Sequence, residues 1–173
     1  MFRFKEIAAG KARPTAMQDI DFVNVVVRFL HLSAAIIAVG GAIFSLMVIL
    51  PSIKAAPQEV REGLVESVRR RTARLVMLAI AILLLTGFYN YIANEVPAHK
   101  GQAHYHALMG FKIILAFAVF FLASALAGRS AAFEGLRKRR AFWLMLNVVL
   151  GLAVVAIGAV LRAIPDVASP VAG

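Results

Sequence analysis

Residues 29–50 read FLHLSAAIIAVGGAIFSLMVIL. The stretch holds no acidic or basic side chain apart from His31, and as a helix it reaches about 33 Å at 1.5 Å per residue. That matches a hydrocarbon core of about 30 Å. In lipid every backbone N–H and C=O must bond within the protein, so a continuous apolar run of this length is a helix rather than a barrel strand. Three further runs of similar length follow, at residues 75–93, 107–127 and 141–161. None shows the alternation of a strand. The fold class expected is all-α, an integral membrane four-helix bundle. Residues 25–163 form the transmembrane domain, between a polar lead of residues 1–24 and a short polar tail of residues 164–173.

Composition agrees. The chain has 173 residues, 61% of them hydrophobic and 16% charged, with a mean hydropathy of +0.82. Soluble domains are nearer half apolar and a quarter charged. A chain this short has too little interior to hide so much apolar surface from water. Cysteine is absent, which excludes disulfides, thiolate metal sites, cysteine nucleophiles and thioether-linked haem.

The net charge of +10 would suggest nucleic acid in a soluble protein. Here the positions of the cations matter more than their sum. The first loop carries Lys54, Arg61, Arg69, Arg70, Arg71 and Arg74, and the third carries Arg129, Arg137, Lys138, Arg139 and Arg140. The second loop, residues 94–106, carries only Lys100. Cations of short loops mark the cytoplasmic side. The reading is a multi-pass protein of the bacterial inner (plasma) membrane, with both termini and the second loop outside. The lipid bilayer is the expected partner and nucleic acid is not.

The lead also carries Arg3, Lys5, Lys11 and Arg13, and Arg28 follows just after it. It lacks the apolar core of a cleavable signal peptide. It reads as an interfacial helix up to Ala12 and a break at Pro14, with Asp19 or Asp21 capping the first span.

Polar groups inside a membrane are costly and mark functional positions. His31 lies one turn into the first span, with Arg28 three residues earlier on the same face. Below it that face continues as Ala35, Ala38, Ala42 and Ser45, small enough to admit another helix or a flat macrocycle. The third span opens with His104, Tyr105 and His106. The first and third spans run in the same direction, so His31 and His106 are expected at similar depth. Two level imidazoles on different helices could clamp a haem iron from both faces. His106 is preferred to His104 because it is deeper.

Lys112 is the one full charge well inside a span. Its expected use is catalytic: to anchor an anion such as a carboxylate or propionate, or to move a proton. No Asp or Glu is expected in the spans as its partner. On the fourth span Asn147, Gly151, Gly158 and Arg162 share a face, and Thr86 and Asn90 lie one turn apart on the second. Arg28, Arg162, Asn147 and Tyr105 complete the expected cofactor-binding set. The plainer reading of these residues is helix packing with satisfied polar groups, and of the loop histidines, ordinary loop polarity.

Four stretches carry a family likeness: RFLHLSAAIIAVGGAIFSLMVILP (28–51), ESVRRRTARLVMLAIAILLLTGFY (66–89), HYHALMGFKIILAFAVFF (104–121) and FWLMLN (142–147). Together they resemble the superfamily of small helical membrane proteins that includes the copper-resistance D (CopD) domain and the HemJ-type protoporphyrinogen oxidases. Val39 stands where that pattern usually has an aromatic residue. The HemJ-type likeness implies b-type haem on a first-helix histidine, here His31, and a required third-helix lysine, here Lys112. It also implies protoporphyrinogen oxidation with electrons passed towards the respiratory chain. The copper-resistance likeness implies copper uptake. For that role the chain offers His99, His104 and His106, with Met47, Met77, Met109 and Met145 in the spans; methionine in an apolar helix is usually filler.

The expected function is therefore that of a membrane oxidoreductase. It would bind haem b through His31 and His106 and transfer electrons, with a tetrapyrrole or quinone as substrate at the same opening. The alternatives are a copper-transporting protein with copper as its metal, and a cofactor-free subunit of a larger membrane complex or homo-oligomer.

Overall fold

A computed structural model describes residues 21–167. The expectations for the lead before Asp21, including a cap by Asp19, lie outside the described residues, as does the tail after Val167. Four helices are long and apolar enough to cross a membrane: α1 (Phe22–Ala55), α2 (Gln58–Ala98), α3 (Ala103–Ala127) and α4 (Arg140–Arg162). Among the described residues there is no strand. The fold is an all-α membrane bundle.

Local chemistry sets the ends. Asp21 caps α1, its carboxylate accepting the Asn24 backbone N–H at 3.1 Å, which satisfies one of the free donors of a first turn. The far end of α1 lies beyond the apolar run. Pro51 supplies no N–H and would break a regular helix, yet α1 continues through it to Ala55. The residues before it explain how: Ser45–Ile49 form a wide π turn that reassigns the carbonyl partners. The same device recurs in α2, where the π turn Tyr91–Glu95 precedes Pro97. As a result α2 reaches Ala98, and the connection to α3 shrinks to residues 99–102. Gly101 takes φ +86° there, a conformation that favours glycine.

The helices form two antiparallel hairpins. α1 packs chiefly on α2, and α3 on α4. Slimmer α1–α4 and α2–α3 contacts close the ring, which leaves α1 and α3 diagonal to each other. Small residues permit close approach, as expected where lipid provides no hydrophobic drive between helices. A Cβ on Gly151 would stand 3.3 Å from Val39 Cγ2, and one on Gly158 3.4 Å from Lys112 Nζ. Ser45 and Ala34 of α1 are buried, whereas Gly40 and Gly41 face open space. Large apolar side chains such as Phe29, Leu32, Ile36, Leu85, Ile114 and Phe121 point outwards, the surface a bilayer requires.

At the end bearing the basic loops, a short helical stretch (Glu134–Lys138) leads into α4. Glu66, more than two turns before the apolar run of α2, pairs with Arg69 on its own helix and with Arg129 just after α3. Hydrogen bonds from those two guanidiniums hold its carboxyl below the usual carboxylate range.

Candidate functional site

His31 is fixed through α2. Its Nδ1 lies 2.8 Å from Thr86 Oγ1, and the Thr86 hydroxyl donates to the Ile82 carbonyl at 2.5 Å. A hydroxyl has one proton to give. Thr86 therefore accepts from His31, the imidazole carries its proton on Nδ1, and the Nε2 lone pair is left for another partner. Gly87 makes room for the ring: a Cβ there would stand 3.3 Å from His31 Cε1.

His106 is held differently. Its Nε2 is 3.1 Å from the His99 carbonyl and its Nδ1 3.4 Å from the Tyr91 hydroxyl. Both ring nitrogens are thus engaged by protein. Nor are the two histidines level. His31 meets α2 at Thr86 and His106 meets it at Tyr91, five residues and about 7 Å further along. The structure brings Lys112 rather than His106 towards His31. Lys112 reaches the backbone of α4 at Gly158, and its charge acts on the His31 imidazole. Two basic groups from diagonal helices share this depth of the bundle.

The expectation that no carboxylate serves Lys112 needs correction. Glu95 belongs to α2, not to a loop, and its charge acts on Lys112. No carboxylate approaches Lys112 to ion-pair distance among the described residues. Nine residues after the inward-facing Thr86, an unbroken helix would turn Glu95 by about 180°, away from the interior. The π turn at Tyr91–Glu95 adds a residue to the turn and brings it back.

Glu95 anchors a polar cap on this end of the bundle. Tyr105, 1% exposed, donates to Glu95 at 2.5 Å and stacks on His99 with ring centroids 3.5 Å apart. His99 is itself buried, near the Ile164 carbonyl and 3.4 Å from Asp166. The Val167 N–H donates to the Ala98 carbonyl at 3.0 Å, so the chain after α4 folds back over the end of α2. Arg28 and Arg162 line a cleft of about 390 Å³ together with Glu95, His99 and Asp166. The two arginines thus converge, in company with two carboxylates that sequence reasoning did not assign to the site. Tyr105 belongs to the wall of this cap rather than to the space beside His31. His99, read earlier as an outer-loop residue, is one of its central members.

Asn147 stands apart. It lies fifteen residues from Arg162 on α4, about 22 Å along the axis, in the half nearer the basic loops. It is buried, and its Oδ1 has no partner among the described residues. Met47, Met77 and Met145 are exposed on the outer surface and Met109 is buried. Among the described residues no three His, Asp or Glu side chains converge to hold a metal ion.

Fold and site together define a multi-pass membrane bundle with a histidine–lysine pair inside and a polar cap at one end. A curated relative, an uncharacterized protein of Aquifex aeolicus (strain VF5), is 28% identical over 143 residues, covering 82% of this chain and 96% of the relative. No protein-family model matches the chain, and no solved structure matches it.

Proposed function

We propose that this protein is a membrane redox protein of the CopD/HemJ-like kind that holds a b-type haem through His31. The observation that carries the reading is the state of that imidazole. Thr86 accepts the hydrogen bond from the Nδ1–H, so Nε2 presents a lone pair within an apolar span, as a haem-iron ligand must. The donor set suits the group in a second respect: Lys112 lies on the same interior space and offers a cation to a propionate or an anionic substrate.

Bound haem would supply one-electron chemistry. The chain's own residues orient and hold. Thr86 fixes the imidazole tautomer and ring direction, and Gly87 leaves the ring its space. Lys112, with Glu95 beyond it, can hold a proton or an anionic group beside the reacting centre. Arg28 and Arg162 would meet acidic groups that reach the outer cleft. His106 could also hold the group only by leaving the His99 carbonyl, so His31 is the favoured ligand. A tetrapyrrole or quinone is the substrate class in keeping with an apolar, cation-bearing site. The proposed location is the bacterial inner membrane, with the polar cap outside and the basic loops in the cytoplasm.

The test is an absorption spectrum of protein purified from membranes with haem precursor supplied. We expect a Soret band, sharp α and β bands on reduction, and about one haem per chain. His31→Ala should lose at least about nine-tenths of that absorbance and keep its helical content. A colourless protein, with His31→Ala equally colourless and equally stable, would refute the proposal. Copper counted per chain on the same sample separates it from metal transport.

A further inference from the structure

At the end that carries the basic loops, a groove of about 830 Å³ opens between the end of α1, the start of α2 and the start of α4. Its lining mixes apolar side chains, Leu50, Ile53 and Phe142, with the cations Arg69, Arg137 and Arg140. The groove has one carboxylate, Glu66, and Arg69 and Arg129 already occupy it. Lys138 is taken by Glu134 at 3.2 Å. Arg137 Nη1 and Arg140 Nε are buried without an acceptor among the described residues. Buried guanidinium N–H groups left unpaired are costly. Moreover, Arg69 and Arg140 line the same groove, where like charges disfavour each other. A site that gathers like charges and leaves their donors unused is complementary to an anion.

The apolar part of the lining says which kind of anion. Free phosphate would use the arginines and leave Leu50, Ile53 and Phe142 uncovered. A glycerophospholipid uses both parts of the lining: its phosphate accepts forked hydrogen bonds from arginine, and its acyl chains lie on apolar side chains. The groove also sits where the spans end, at the depth of lipid headgroups. We propose that it is a binding site for one anionic glycerophospholipid, with the phosphate between Arg137 and Arg140 and the chains along Leu50, Ile53 and Phe142. This site is separate from the histidine–lysine pair and stands whether or not haem binds there.

The full-length protein in detergent is incubated with phosphatidylglycerol or phosphatidylcholine, and bound lipid is counted by native mass spectrometry. A third arm adds inorganic phosphate as competitor. We expect one retained phosphatidylglycerol per chain and little phosphatidylcholine. Arg137→Gln with Arg140→Gln should lower retention by about tenfold or more. Arg70→Gln with Arg71→Gln removes the same charge from exposed positions of α2 outside the groove and should leave retention unchanged. Equal retention of the two lipids, equal loss in both double variants, or displacement by an equal concentration of phosphate would overturn the proposal. Should the Arg137/Arg140 variant fail to fold, the wild type decides. Phosphatidylglycerol, and not phosphatidylcholine, must then protect Arg137 and Arg140 from phenylglyoxal.

Discussion

The imidazole of His31 is held upright by one hydroxyl, and that hydroxyl is itself committed to the Ile82 carbonyl. Removing it isolates the ring. Thr86→Val keeps the shape of the side chain but leaves the Nδ1–H unpaired in an apolar setting. The expected cost is about 1–3 kcal/mol, seen as a lower unfolding midpoint in detergent, with Thr86→Ser restoring most of it. Where haem binds, the same variant should also broaden the reduced absorption bands, because the ligand ring is no longer oriented. Sequence alone singled out His31, Thr86 and Lys112, since polar side chains stand out in apolar runs. It placed His106 level with His31 by counting residues from the start of each helix. That count fails because α1 begins at Phe22, nine residues before His31, whereas α3 begins at Ala103, three residues before His106, and the meeting points on α2, Thr86 and Tyr91, show the same offset. Asn147 shares a helical face with Arg162, but a shared face says nothing about the 15 residues of axial distance between them.

At the scale of the element, α1 and α2 each carry a wide turn ahead of a proline. The four apolar runs were legible to within a few residues, because lipid tolerates no other reading of them. Helix ends were less so. Proline and polar residues ordinarily announce a loop, and here the π turns absorb the prolines and carry both helices onward. Glu95 was missed for that reason: in a regular helix it would face away, and in a loop it would face water. Its bond to Tyr105 tests whether the extension of α2 matters. Tyr105→Phe keeps the stack on His99 and removes only the hydroxyl. A hydrogen bond to a charged acceptor contributes about 1.5–3 kcal/mol, so the variant should melt earlier by that amount, while Tyr89→Phe, at an exposed hydroxyl-bearing position near the same end of α2, should not.

The whole molecule carries its two basic loops at one end and its histidine-rich cap at the other. The positive-inside rule then predicts a direction of insertion with the basic loops in the cytoplasm. The chain has no cysteine, so each introduced cysteine is the sole thiol. Lys100→Cys, in the short loop between α2 and α3, should react with a membrane-impermeant maleimide in intact spheroplasts. Ser130→Cys, after α3, should react only once the membrane is broken. The opposite pattern would invert the topology and place the polar cap in the cytoplasm.

The two hairpins hold each other less firmly than the helices within each hairpin. Their seams, between α1 and α4 and between α2 and α3, open sideways onto lipid rather than towards either aqueous phase. A flat apolar substrate dissolved in the membrane would then be expected to reach His31 laterally, between the hairpins, without crossing a headgroup layer. Under the redox reading, substrate supply would follow diffusion in the plane of the bilayer. Encounter would then depend on membrane fluidity and on the surface density of substrate, not on its concentration in water.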